Sequence, residues 1–72
     1  MTVSDPIDST FDLPEIATSA DVARVLQMTP SALAQARYLG RGPSYIKVGH
    51  LVRYLRADVL AYLRQNRINL NP

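Results

Sequence analysis

The stretch SYIKVGHLVRYLR, residues 44–56, decides how this sequence of 72 residues can fold. Apolar residues alternate with others on both sides of Gly49-His50, a period-two pattern that predicts two β-strands and a two-residue turn. Glycine at the first central position suits a type II′ turn, because it takes a positive φ without a Cβ clash. A two-stranded ribbon is barely stable alone in water. We therefore expect the hairpin to pack on the last helix through apolar side chains, namely Val48, Val52, Tyr54 and Tyr62.

Three helices are predicted around this hairpin. The first begins with Thr18 as its N-cap, and Asp21 completes an approximate capping box. The second begins with Thr29 as its N-cap and Pro30 at the first helical position, where the missing N–H costs nothing. The third spans about residues 56–66. The order helix, turn, helix, hairpin, helix describes a mainly α fold with a small β-hairpin.

Charge divides the chain unevenly. Five of the six acidic residues lie in the first 21 positions, whereas residue 22 onward holds eight basic residues and one acidic residue, a net charge of +7. Such a body attracts polyanions, although a basic surface can also serve solubility. Residues 1–17 are predicted to form an acidic flexible arm, residues 18–67 the folded domain and residues 68–72 a tail. Whether the arm screens the basic body is left open.

The composition argues against several classes of protein. There is no cysteine and a single histidine, so disulfides and a zinc site are not expected. No set of catalytic groups converges and no P-loop is present, which predicts a protein that is not an enzyme and has no cofactor or small-molecule ligand. No signal peptide is recognisable, and no apolar run approaches the roughly 20 residues of a membrane span. We expect a soluble cytoplasmic protein without a membrane partner.

The first two helices, joined by Gln27-Met28-Thr29, have the dimensions of a helix-turn-helix, whose second helix enters the DNA major groove. Gln35 can pair with an adenine edge, and the arginines suit phosphates. The arginines can equally complement the C-terminus of the helix, and an exposed glutamine is common on helices. The candidate DNA-binding residues on this helix are Thr29, Pro30, Ser31, Ala34, Gln35, Arg37, Tyr38 and Arg41.

Residues 21–63 resemble the small MerR-type winged helix-turn-helix proteins that include phage excisionases. The most specific part is GRGPSYIKVGHLVRY, residues 40–54, followed by RADVLAYL, residues 56–63. They match the family's G-x-G-P-x-[YF]-x-K-[VL]-G stretch, its V-R-Y strand and its last helix in order and spacing. The resemblance implies a winged helix-turn-helix fold in which the hairpin is the wing and contacts phosphates or the minor groove. The implied DNA-binding residues of the wing are Lys47, Gly49, His50 and Arg53.

The resemblance also implies a function. The chain is expected to be an excisionase, a recombination directionality factor that binds and bends attachment-site DNA cooperatively and favours integrase-mediated excision. Its implied partners are double-stranded DNA, a phage integrase and neighbouring copies of itself, in the cytoplasm of a bacterial host and on the nucleoid when bound. A small MerR-like transcriptional regulator is the first alternative. A protein-binding adaptor whose basic face docks an acidic partner is the second.

Departures from the family pattern carry further expectations. Leu51, Leu55 and Leu60 stand where the family usually has polar or charged side chains. They form a candidate apolar patch for self-association, unless the acidic arm or the tail covers them within one chain. His50 and Leu51 replace two basic residues at the wing tip, so the wing is expected to hold the DNA backbone less strongly. Ala57 replaces a serine that often caps the last helix.

Overall fold

The computed structural model describes residues 12–68, which contain three helices and a three-stranded antiparallel sheet. The helices and the hairpin strands predicted from the sequence are present, and a short N-terminal strand is added to them. None of the helices among these residues has the length and apolar character needed to cross a membrane. In chain order the elements are β1 (Ile16–Thr18), α1 (Ser19–Val25), α2 (Pro30–Tyr38), β2 (Ile46–Val48), β3 (Leu51–Leu55) and α3 (Arg56–Gln65).

The sheet has the order β1-β3-β2, so the longest strand lies in the middle. In the hairpin, Val48 lies opposite Leu51, which leaves Gly49 and His50 as the two residues of the turn. Gly49 has a φ of +61°, and His50 is not among the described residues with positive φ. A positive φ at the first central position only is what a type II′ turn requires.

The folded body begins before residue 18, which corrects the predicted arm of residues 1–17. Leu13 is 6% exposed, Ala17 is fully buried, and β1 pairs with β3. The carbonyl of Glu15 also accepts a hydrogen bond of 2.9 Å from the Arg56 N–H, one of the donors that the first turn of α3 cannot satisfy itself. Residues 12–17 therefore belong to the domain. The rest of the predicted arm, residues 1–11, lies outside the described residues, as do residues 69–72 of the predicted tail.

Local sequence signals explain where α1 and α2 begin. The Thr18 Oγ1 accepts from the Asp21 N–H at 3.1 Å, and the Asp21 Oδ2 accepts from the Thr18 N–H at 3.2 Å, so the capping box is confirmed. Thr29 caps α2 by accepting from the Ala32 N–H at 3.0 Å. By contrast, α3 has Leu55 at its N-cap position and receives no side-chain capping bond.

One hydrophobic core joins these elements on one side of the sheet. Tyr54, the fully buried residue of the central strand, packs among residues from all parts of the domain. Each buried valine or leucine side chain contributes about 1.5–3 kcal/mol relative to the exposed state. The buried core consists of Leu13, Ala17, Val22, Ala23, Leu33, Tyr54 and Val59.

The two faces of the sheet differ from the prediction at β2. Because the turn has two residues, Val48 shares a face with its partner Leu51, and Lys47 shares the other face with Val52. Val48 is therefore 60% exposed, and the prediction that it packs on the last helix is wrong. Val52 packs against the core and Tyr54 is buried, as predicted. We call the core side, formed by Ala17, Lys47, Val52 and Tyr54, the inner face. The outer face is formed by Ile16, Thr18, Ile46, Val48, Leu51, Arg53 and Leu55.

Candidate nucleic-acid interface

Helix α2 presents a row of exposed side chains. Ser31, Gln35 and Tyr38 are spaced by four and three residues, which places them on one stripe of the helix. All three are exposed, and Tyr38 is 89% exposed. The opposite side of the helix is anchored by Leu33, which is fully buried. Ala34 is half-buried beside the row. We call Ser31, Gln35 and Tyr38 the exposed row.

The beginning of α2 is exposed as well. Thr29, Pro30 and Ser31 are all accessible to solvent, although the Thr29 hydroxyl oxygen is engaged in the capping bond to Ala32. An exposed helix N-terminus carries a partial positive charge, which suits a phosphate group. Few backbone donors are free here, because Pro30 has no N–H and the N–H groups of Ala32 and Leu33 bond to Thr29. Thr29 and Pro30 thus have a structural role in starting the helix, in addition to their place on the predicted site.

The side chain of Arg37 is tied to the sheet, whereas the sequence predicted an outward-facing phosphate contact. Its side chain is half-buried, and one terminal nitrogen donates a hydrogen bond of 2.9 Å to the Tyr54 hydroxyl. The guanidinium carbon lies 5.7 Å from the centroid of the Tyr45 ring, within cation–π distance. The two tyrosine rings are 6.2 Å apart and tilted by 53°. Arg37 therefore fixes the last turn of α2 against the sheet.

An open cleft of about 340 Å³ lies between the end of α2 and the loop of residues 39–45 that leads to the hairpin. Gly40 follows the end of α2 and has a φ of +70°, in the left-handed region. This conformation directs the chain away from the helix axis and toward the hairpin. An arginine has five N–H donors, so the bond to Tyr54 leaves donors of Arg37 for an anion in the cleft. Arg41 follows on the exposed surface. The cleft is lined by Arg37, Gly40, Gly42, Pro43, Ser44 and Tyr45.

The hairpin residues of the predicted wing fall on different faces. Lys47 is exposed and belongs to the inner face, where α2 packs through the contact between Arg37 and Tyr54. Gly49 and His50 are exposed at the tip. Arg53 lies on the outer face, half-buried, and one of its terminal nitrogens donates a 2.8 Å hydrogen bond to the Val52 carbonyl. The prediction that Lys47, His50 and Arg53 share one edge is therefore wrong for Arg53.

The three leucines predicted to form a patch are only partly brought together. Leu51 and Leu55 share the outer face, with Leu51 52% exposed and Leu55 half-buried. Leu60 is half-buried on α3. The outer face instead groups Leu51 with three apolar residues that were not predicted for this patch, which are Ile16, Ile46 and Val48. The predicted two-residue turn could have placed Ile46 and Val48 on this face, because it fixes the pairing of Val48 with Leu51.

The surface formed by the exposed row, Arg41 and Lys47 is suited to binding a polyanion that also presents hydrogen-bonding groups. It combines hydroxyl, amide and aromatic groups of the exposed row with the cations Arg41 and Lys47. Tyr45 and Tyr54 were missed as site residues, although they hold Arg37 and hence the end of α2. Their role depends on a contact across 17 residues of sequence, which no local pattern reveals.

Comparison with models of known protein families and comparison with curated proteins both gave no match.

Proposed function

We propose that this chain is a sequence-specific DNA-binding protein with a winged helix-turn-helix architecture. In this proposal α1 and α2 are the helix-turn-helix, α2 is the recognition helix, and the hairpin of β2 and β3 is the wing. The observation that carries the proposal is the exposed row on α2, which lies on the same side of the sheet as Lys47. The net charge of +7 from residue 22 onward supports it, because phosphate neutralisation dominates affinity for DNA.

Three roles are proposed for the residues on the α2 side. Gln35 and Ser31 are proposed to read base edges in the major groove, with Gln35 bidentate to an adenine. Arg41 and Lys47 are proposed to contact phosphates on either side of the groove, which positions the helix without selecting sequence. Arg37 is proposed to keep the end of α2 in place and to offer its remaining donors to a phosphate in the cleft.

The physiological role that we propose is that of a phage excisionase. The chain would bind and bend attachment-site DNA, contact neighbouring copies of itself and direct an integrase toward excision in the cytoplasm of a bacterial host. The support for this role is the resemblance of residues 21–63 to that family. A small regulator related to MerR would use the same interface on DNA, so the arrangement of its binding sites is what separates the two roles.

Selection from a randomised duplex pool tests the proposal. The full chain would be incubated with the pool at about 150 mM salt, near physiological ionic strength, and the retained duplexes sequenced. Short direct repeats bound cooperatively are expected for an excisionase. A single inverted repeat would indicate a dimeric regulator, and no enrichment would contradict DNA reading and favour the adaptor. The variant Gln35→Ala serves as the control, because it is expected to lose preference at one base position and to keep general affinity for duplex DNA.

A further inference from the structure

The outer face of the sheet carries an apolar surface that the described residues leave open. Ile16, Ile46, Val48 and Leu51 are between 38% and 63% exposed, and they come from all three strands. The core lies on the other face, where Ala17 and Tyr54 are fully buried. Val48 lies opposite Leu51 and Ile46 follows along β2, while Ile16 lies on the far side of β3, opposite Leu55. Several large apolar side chains on one face of a small domain are typical of a binding surface.

A positive charge lies within this apolar surface. Arg53 is the central residue of β3, and on the outer face it has Leu51 on one side and Leu55 on the other along the strand. Across the strands it lies opposite Ile46 and Thr18. An occupant of this face must therefore bring apolar side chains together with a carboxylate.

The size of the face favours a short segment over a folded subunit. Its seven residues are far fewer than the roughly 20–30 residues that each partner contributes to a stable protein interface. A second copy of the chain would also bring Arg53 close to Arg53 if the same faces met around a two-fold axis, and like charges repel. The face is thus too small and has the wrong charge for a symmetric dimer.

The first 11 residues of the same chain have the matching chemistry. They contain Asp5 between Val3 and Ile7, each two positions away. In an extended segment residues two apart project to the same side, so Val3, Asp5 and Ile7 would share one side. Along β3, Arg53 likewise lies between two apolar residues, Leu51 and Leu55. The two patterns match in spacing and have opposite charges at the centre.

The connection of this segment to the sheet also fits. Residue 12 is four positions before β1, an edge strand of the same sheet. Eleven extended residues span up to about 36 Å, whereas three strands are only about 10 Å wide from the first to the third. Because the segment is tethered, its effective concentration at the face is of the order of millimolar, which separate proteins rarely reach.

We propose that residues 1–11 dock in an extended form on the outer face of the sheet, with Asp5 paired with Arg53. Val3 and Ile7 cover the apolar side chains on the two sides of this ion pair. The docked segment closes the apolar surface within one molecule, so the acidic N-terminus acts as an intramolecular cover. This inference does not depend on DNA binding.

Paramagnetic relaxation measured on the full chain tests the proposal. Since the sequence has no cysteine, Ser4→Cys provides a single attachment site for a nitroxide on the side of the segment away from the sheet. The methyl signals of Ile16, Ile46 and Val48 are expected to be strongly attenuated, and those of Val22 in the core much less. Equal attenuation on both faces, or none, would overturn the proposal. Attenuation in a mixture of spin-labelled chain with separately isotope-labelled chain would show a second copy as the occupant, which would also overturn it.

Two variants, each of which replaces one aspartate by the uncharged asparagine, provide a matched pair. Asp5→Asn is expected to lower the ratio of docked to undocked segment by about two- to fivefold, the effect of one exposed ion pair. Asp8→Asn removes the same charge from an even-numbered position, which faces away from the sheet in the proposed arrangement, and is expected to leave the attenuation nearly unchanged. An equal effect of both variants would mean that general charge attraction replaces the pairing with Arg53, and the proposed register would be wrong.

Discussion

At the scale of single residues, the turn between α1 and α2 contains a strained backbone position. Gln27 has a φ of +57°, the left-handed region that costs an L-residue about 1–2 kcal/mol. It is held there by the hydrogen bonds that end α1, from the Met28 N–H to the Ala23 carbonyl at 2.9 Å and from the Gln27 N–H to the Arg24 carbonyl at 3.1 Å. This is a Schellman motif in which glycine is the usual residue.

We therefore expect Gln27→Gly to stabilise the protein. Relief of the left-handed strain is partly offset by the greater backbone entropy of glycine in the unfolded chain, so the free energy of unfolding should rise by about 0.5–1 kcal/mol. Urea denaturation followed by circular dichroism measures this change. The reverse exchange, Gly40→Gln at the equivalent position of α2, should destabilise by a similar amount. A loss of stability in Gln27→Gly would show that the glutamine side chain, and not the backbone, holds the turn.

The bond between Arg37 and Tyr54 allows a second prediction at this scale. Tyr54→Phe removes the acceptor of a 2.9 Å hydrogen bond from a half-buried cation, and should lower the free energy of unfolding by about 0.5–1.5 kcal/mol. Tyr45→Phe is the matched control, because it keeps the ring beneath Arg37 and removes only a hydroxyl of an exposed residue. Thermal or urea denaturation of both variants measures the difference. Equal effects of the two changes would mean that ring packing, and not the hydrogen bond, fixes the end of α2.

At the scale of elements, β1 ties the chain before residue 18 to the domain. A chain that begins at residue 12 keeps Leu13, β1 and the bond from the Arg56 N–H to the Glu15 carbonyl. A chain that begins at residue 18 loses them, including about 1.5–3 kcal/mol from burial of Leu13 alone. A domain of this size rarely has more than about 3–5 kcal/mol of stability in total. We expect the first chain to unfold cooperatively and the second to be largely unfolded at 25 °C, as measured by near-ultraviolet circular dichroism. A folded chain from residue 18 would show that β1 is an accessory strand.

The same strand marks the limit of what the sequence predicts. The helices were predictable because their signals are local, such as the capping box of Thr18 with Asp21 and the proline after Thr29. The hairpin was predictable from its alternation and its glycine. By contrast, β1 is three residues long and follows a proline-containing acidic stretch, so only its pairing with β3 makes it a strand. The position of Arg37 depends likewise on tyrosines that are distant in the sequence.

At the scale of the whole molecule, the sheet separates two surfaces of different character. The inner side carries α2 and its exposed row together with Lys47, and the outer face carries apolar side chains around Arg53. The two basic residues of the hairpin therefore lie on opposite sides, even though they are only six positions apart in the sequence. If DNA lies along α2, it should meet Lys47 and not Arg53.

This separation yields a quantitative prediction about salt. Each phosphate that a protein neutralises on duplex DNA contributes about −0.9 to the slope of log affinity against log salt concentration. Lys47→Ala should therefore weaken binding to all duplexes and make the slope less steep by about 0.9, whereas Arg53→Ala should leave the slope nearly unchanged. Fluorescence anisotropy with a labelled duplex at several salt concentrations measures both. Because each variant removes one positive charge, a purely long-range effect of net charge would change the two slopes equally. An equal change would therefore contradict an approach along α2, because loss of net charge alone would account for it.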